Sequence, residues 1–243
     1  MQKPVVSIIA PAINIEYWQE LYTMLCAGNS IPFEIVYCGY NRPNFALPEN
    51  FIYIHSEAKP PQCFETVWRN AIGEFLFIVT DDLVVPPGTI DTLYVYMMRM
   101  QNERAIVSAR FSDRLEGPAQ DNLFCFDLAN PRSPVLGCAT MTRRKVWEEL
   151  GGLDRRFNLL WSDTDMQMRI LEAGGHPFIM PSENHIVRER PHIRPRLIGD
   201  LKKGKPLDKV LLESLWINSD GSTSKNRLDA LQPYVANEIP IVR

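Results

Sequence analysis

Glu74-Phe75-Leu76-Phe77-Ile78-Val79-Thr80-Asp81-Asp82-Leu83-Val84-Val85-Pro86-Pro87-Gly88 is the stretch on which the reading of this chain turns. Its unbroken apolar run, Phe75 to Val79, predicts a strand buried on both faces, and the Pro-Pro-Gly beyond it supplies turn chemistry. Two carboxylates stand side by side where that strand ends. An ion taken out of water costs several kcal/mol unless it is partnered, so the pair is either a solvated acidic turn or a metal site on a rigid strand. Ligands of open α/β sheets bind at the carboxyl ends of strands.

Working outward, Val5 to Ala10 reads as a first strand ended by Pro11. Asn14 is placed to cap a helix with Trp18, Leu21, Tyr22 and Leu25 on one face. Phe33 to Cys38 and Phe51 to His55 are further strands, and a helix is expected from Cys63 to Ile72. After the acidic strand, Pro86-Pro87-Gly88 opens a helix carrying Ile90, Leu93, Tyr94 and Met97, followed by a strand from Ala105 to Ala109. This β-α-β-α-β succession predicts a mostly parallel sheet with helices on both faces, an α/β fold. From Phe111 the pattern loosens, with a strand expected at Leu123 to Leu128. Thr142 is expected to cap a helix through Leu150, a second helix to run from Ser162-Asp163 to Ala173, and a strand to span Pro177 to Met180. The C-terminal part is rich in proline and charge, with an amphipathic helix at Leu207 to Ile217 and another near Arg227 to Leu231. We therefore expect a main domain over residues 1–190 and an extension, 191–243, packed on it without a core of its own.

A hydrophobic fraction of 45% and a charged fraction of 23% describe an ordinary globular chain, and a net charge of −3 offers no general attraction to nucleic acid or anionic membrane. The charge is uneven: between Arg188 and Lys209 eight Lys/Arg face three Asp/Glu. That segment is either a solvated basic face or a flap over a diphosphate or acceptor. It lacks the interleaved aromatics of a single-strand nucleic-acid platform, so no nucleic-acid partner is expected. The cysteines 26, 38, 63, 125 and 138 form no CxxC pair, so reduced thiols in a cytoplasmic compartment are expected. The initial Met-Gln-Lys-Pro-Val-Val-Ser does not read as a secretory signal, and no run approaches the ~18 apolar residues of a membrane span. Peripheral membrane attachment stays open.

Three constellations carry chemistry. Asp81-Asp82 suits a hard divalent cation, which needs only one or two protein carboxylates when it arrives with a diphosphate. In Trp161-Ser162-Asp163-Thr164-Asp165 the two acids lie two apart on a helix and cannot both face one cleft. Both are either first-turn acids favoured by the helix dipole, or one is a general base. His185, expected in a loop after a strand, is either solvated or a metal ligand.

Together with Arg69-Asn70-Ala71-Ile72-Gly73-Glu74-Phe75, the order of the Val-Ser-Ile-Ile strand, Thr80-Asp81-Asp82, Pro86-Pro87-Gly88, Gly151-Gly152-Leu153-Asp154, Trp161-Ser162-Asp163-Thr164-Asp165, Arg169 and Ala173-Gly174 resembles the family-2 glycosyltransferases with the GT-A fold. The resemblance covers roughly residues 4–190, and its most specific part is the match to that family's GGFD…ED.D…R…AG pattern. It implies an inverting, metal-dependent transfer from a nucleotide-sugar to an acceptor hydroxyl of a carbohydrate or glycoconjugate.

The resemblance also implies roles. Asp82 falls where the family holds Mn²⁺ or Mg²⁺, with Thr80 replacing the first aspartate of the DxD motif, and His185 where some members add a histidine. Asp163 falls at the catalytic base, with Ser162 where glutamate is common, and Trp161 and Ser162 at the acceptor side. Pro11, Ala12 and Asn14 would border the nucleotide, Asp81 the nucleotide or ribose, and Arg69 a phosphate. Cys38-Gly39 stands where an aspartate often binds uracil, which counts against a UDP donor. A first-turn position predicts a lowered pKa for Asp163 and hence a weaker base. A nucleotidyltransferase of related fold and a catalytically silent carbohydrate-binding or scaffolding domain are the alternatives.

Overall fold

The computed structural model describes residues 2–113, 120–122, 139–180, 185–188, 207–221 and 230–242. The strand expected over 123–128 and most of the helix expected near Arg227 lie outside them. The main sheet is built from β1 (Val6–Pro11), β2 (Phe33–Gly39), β3 (Phe51–His55), β4 (Phe75–Ile78), β6 (Ala105–Ser108), β9 (Thr140–Arg143) and β10 (His176–Ile179). Their order across it is β10-β6-β9-β4-β1-β2-β3. Every neighbouring pair is parallel except those made by β9, which runs antiparallel between β4 and β6. Four short strands, β5 (Leu83–Val84), β7 (Arg110–Asp113), β8 (Gln120–Asn122) and β11 (His185–Arg188), make a second sheet ordered β5-β11-β7-β8.

Helices cover both faces, which is why the central strands are apolar on both sides. Ile8, Ile35, Phe75 and Phe77 pack with Trp18, Leu21 and Leu25 of α1 (Trp18–Cys26) and Ile90, Leu93 and Met97 of α3 (Thr89–Arg99). The alternate residues Ile9, Val36, Leu76 and Ile78 face Phe64, Val67 and Trp68 of α2 (Pro60–Asn70), Trp147 of α4 (Arg144–Glu149) and Met166 and Ile170 of α5 (Ser162–Glu172). A strand's side chains alternate in direction, so each strand feeds both layers. A further helix, α6 (207–216), joins through Leu212 and Trp216 to Phe157 and Met168.

Several local expectations are corrected. Asn14 caps no helix with its side chain; a 3₁₀ turn, Ile15–Tyr17, precedes α1, and the Asn14 amide is used elsewhere. Helix α2 starts at Pro60, because Pro60-Pro61 occupy its first turn, where the fixed φ and missing N–H carry no penalty. Thr142 lies in β9, and its Oγ1 accepts from Trp147 Nε1 at 2.9 Å instead of capping α4. His185 begins strand β11 and is not in a loop. Among the described residues no helix is long and apolar enough to cross a membrane.

From β1 the chain builds β2 and β3 to one side, then returns to place β4 against the other edge of β1. The connections that follow β1 and β4 therefore lead toward opposite edges of the sheet, and the crevice they leave at the carboxyl ends is where this class of sheet binds ligands.

Candidate functional site

That crevice holds a cleft of about 220 Å³. Its lining comes from the loop after β1 (Pro11, Ile13, Asn14), the end of β4 and the turn beyond it (Ile78, Thr80, Asp81, Asp82), the start of α2 (Pro60, Pro61, Phe64), the segment entering α5 (Leu159, Leu160, Ser162, Asp163), and Arg188 of β11.

The two adjacent aspartates have different jobs. Asp81 is buried, and its carboxylate is spent on the β1 loop: Oδ2 accepts from Ile13 N at 2.7 Å, Asn14 N at 2.5 Å and Trp18 Nε1 at 3.1 Å, and Oδ1 from Asn14 Nδ2 at 2.9 Å. It ties β1 to β4 at the switch point. Burial, and then the charge of Asp82, push its pKa above the usual aspartate value despite those bonds. Asn14 is fully buried, and among the described residues its Oδ1 has no donor. Asp82 is 1% exposed and accepts the Thr80 hydroxyl on Oδ1 at 2.6 Å. Thr80, standing where a carboxylate was expected, thus orients Asp82.

On the opposite wall Asp163 faces the cleft, while Asp165 turns inward, as their spacing on a helix requires. Asp165 is fully buried, bonded by Arg169 Nε at 3.0 Å and Trp216 Nε1 at 3.0 Å. The Arg169 guanidinium also donates to Leu150 O and Gly152 O, clamping the Gly151-Gly152 turn. Asp163 keeps part of its surface open to the cleft, yet desolvation pushes its pKa above the ordinary aspartate value. The helix-dipole expectation is therefore reversed: loss of hydration outweighs the bond Asp163 receives from Thr164 N at 2.9 Å, and a raised pKa makes a stronger base.

Of the residues singled out above, Pro11, Asn14, Asp81, Asp82, Ser162 and Asp163 line one cleft. Others do not. Ala12 and Cys38 are fully buried behind it, where Ala12 N donates to Cys38 O and a Cβ on Gly39 would sit 2.0 Å from Ala12 O. The end of β2 is sealed by backbone. Arg69 sits in the last turn of α2, about 13 Å along the helix from Pro60, and is held by Glu65 at 2.6 Å and stacked on Trp68. Trp161 enters α5 in the left-handed region at φ 70°, packed toward α6. His185 pairs with Arg110 at the far end of β11, about 10 Å from Arg188 along the strand. Arg188 pairs with Leu83, the residue after Asp82, and lines the cleft. Its parity on a short strand in a second sheet left no periodic signal.

The leucine wall has a support invisible in the sequence. Asp208 of α6, itself buried, accepts from three consecutive backbone N–H groups, Asn158 at 3.0 Å, Leu159 at 2.6 Å and Leu160 at 2.9 Å.

For a divalent cation the described residues of the cleft offer Asp82 as an oriented carboxylate. Among the described residues no group of three or more His, Cys, Asp or Glu stands together. That donor set does not make a closed protein cage. It fits an ion completed by a ligand's phosphates and water, as Mg²⁺ and Mn²⁺ commonly are.

No family model and no curated protein sequence matches this chain. Solved structures of TarS from S. aureus share its fold. The fragment 1–349 matches with a TM-score of 0.58 at 15% identity, over 75% of this chain and 59% of that one. The same fragment in complex with UDP-GlcNAc matches with a TM-score of 0.58 at 13% identity, over 78% and 59%. A structure of TarS itself matches with a TM-score of 0.59 at 15% identity, over 92% and 41%. The chain spans about three-fifths of the TarS fragments it matches and less of the longer form. The mostly parallel seven-stranded sheet, flanked by helices with its cleft at the switch point, is the GT-A architecture.

Proposed function

We propose that this chain is a glycosyltransferase that moves a sugar from a nucleoside-diphosphate donor to an acceptor hydroxyl, with inversion at the anomeric carbon. The observation that carries it is that Asp82, Asp163 and Arg188, far apart in sequence, line one cleft at the switch point of a GT-A sheet. The UDP and UDP-GlcNAc in the TarS structures support a nucleotide-sugar donor for the shared fold.

The chemistry follows from the residues. The diphosphate lies between Asp82 and Arg188, whose planar guanidinium suits phosphate oxygens and opposes the charge that builds as the nucleotide leaves. Asp82 would hold Mg²⁺ or Mn²⁺ jointly with the phosphates, and the bound ion supplies Lewis-acid stabilisation of that charge. Asp163 takes the proton from the acceptor hydroxyl as its oxygen bonds to the anomeric carbon and the carbon–phosphate-oxygen bond breaks on the opposite face. The apolar walls, Leu159, Leu160, Phe64, Pro60 and Pro61, exclude water that would otherwise hydrolyse the donor.

The test is a thermal-shift screen of UDP, GDP, CDP and dTDP with and without Mn²⁺, followed by hydrolysis of the matching sugar nucleotides. A diphosphate at a hundred times its Kd stabilises by about 2.7 kcal/mol, a clear shift. Asp163→Asn should retain that shift and lose turnover. Turnover near native in Asp163→Asn overturns the base assignment. If no diphosphate stabilises the chain and every donor survives intact, the fold is used here as a silent carbohydrate-binding module.

A further inference from the structure

A second pocket, of about 290 Å³, adjoins the cleft. Neighbouring residues of the same two segments serve both: Pro60 and Leu159 line the cleft, Lys59 and Asn158 the second pocket. Lys59 Nζ donates to Asn158 Oδ1 at 2.5 Å, so these two neighbours of the cleft-lining Pro60 and Leu159 are joined across the second pocket's lining. The remaining lining includes Gln62 of α2, Arg155, and Tyr234 and Glu238 from the C-terminal segment.

That segment is fixed in place. Arg155 N donates to Gln232 O at 3.0 Å, Asp154 bridges to Pro233, and Arg155 pairs with Glu238 at 3.1 Å. Further on, Asn70 Nδ2 donates to Pro240 O and accepts from Val242 N on Oδ1. The pocket is thus a built feature, with walls from the start of α2, from the 155–158 segment and from 230–242.

Its chemistry is mixed. The Arg155 cation is matched by Glu238, so no strong field selects a multiply charged ligand. Gln62 offers an amide group, Lys59 an ammonium, and Tyr234 a hydroxyl on an aromatic body, while the Asn158 amide is already engaged by Lys59, Arg156 O and Asp208. Burial, with the Glu65 and Asp154 carboxylates, keeps the Tyr234 phenol protonated and able to donate. Groups of both senses around an amphipathic ring match hydroxyls, each of which donates and accepts.

We propose that this pocket is an outer acceptor subsite, seating the second sugar ring of an oligosaccharide while the terminal ring presents its hydroxyl to Asp163. The Lys59–Asn158 bridge then lies under the linkage between the rings. The assignment rests on the glycosyltransferase reading and restricts it: the chain extends glycans of two or more units and does not glycosylate free monosaccharides.

The test titrates the full chain with glucose, N-acetylglucosamine, cellobiose, lactose and N,N′-diacetylchitobiose by calorimetry. At least one disaccharide should bind about tenfold more tightly than the monosaccharides, the effect of one or two added hydrogen bonds. Gln62→Ala, a half-buried helix position suited to alanine, should bring that affinity down to the monosaccharide level, as should Tyr234→Ala. Both should leave stabilisation by the nucleoside diphosphate unchanged. Equal affinity for one and two rings, no disaccharide binding, or indifference to both substitutions overturns the subsite. Disaccharide binding by a chain that no nucleoside diphosphate stabilises would keep the pocket and remove the transferase reading. Diphosphate stabilisation without disaccharide binding would do the reverse.

Discussion

Replacing Asp208 by alanine should damage the cleft from outside it. This carboxylate is 1% exposed and accepts from the backbone N–H groups of Asn158, Leu159 and Leu160. Hydrogen bonds to a charged acceptor contribute ~1.5–3 kcal/mol each, and a buried donor left without any partner costs ~1–3 kcal/mol. Water can replace Asp208 at the half-buried Asn158 and Leu160 but not at Leu159, which is 8% exposed. One donor is then orphaned and two are resolvated, a loss of about 3–4 kcal/mol for Asp208→Ala. Asparagine keeps one acceptor oxygen in place and should lose about half as much. In urea unfolding followed by tryptophan fluorescence, with Trp216 reporting from the same helix, the alanine variant should unfold at a midpoint about 1 M or more below native. Because Leu159 and Leu160 form a cleft wall, nucleoside-diphosphate stabilisation should fall in the same order, native, Asn, Ala. A native midpoint for Asp208→Ala would refute the reasoning, as would equal losses for the two variants.

The acid limb of turnover should lie above the ordinary aspartate range, because the base must be ionised and burial raises the Asp163 pKa; a pH profile of kcat with its limb near 4 would contradict this. The sign for stability is opposite. A carboxyl whose pKa is higher folded than unfolded costs stability once pH rises above its unfolded value, so Asp163→Asn should raise the urea midpoint at pH 7 and raise it less at pH 3. Arg169→Met leaves the buried Asp165 without its cation and should cost about 3–5 kcal/mol, and adding Asp165→Asn should recover part of that in a double-mutant cycle. Gly39→Ala drives a methyl into Ala12 O and should cost about 3 kcal/mol and weaken diphosphate binding, since the β1 loop must move; an unchanged melting curve would count against the sealed strand end.

The strand at Phe75–Ile78 was legible as an unbroken apolar run, and the helices on both faces and the split between Asp163 and Asp165 because they rest on the local 3.6-residue period of a helix. Strand β9 was not, since Thr140–Arg143 is short and mostly polar and is strand only because β4 and β6 flank it. Site residues divide the same way. The Asp81-Asp82 pair stood out because carboxylates ending an apolar strand are locally conspicuous, while the choice of Asp82 came from the family resemblance. Arg188 and Asp208 were part of a basic stretch that read equally well as a solvated face. Arg188 reaches the cleft because β11 pairs with β5 beside Asp82, and Asp208 supports the cleft wall from behind because α6 docks against the Asn158–Leu160 segment. Local sequence carries the preference of a segment for helix or strand and the chemistry of its side chains. Which distant groups share one cleft, and whether burial or the helix dipole sets the basicity of Asp163, depends on contacts between segments that no short window of sequence contains.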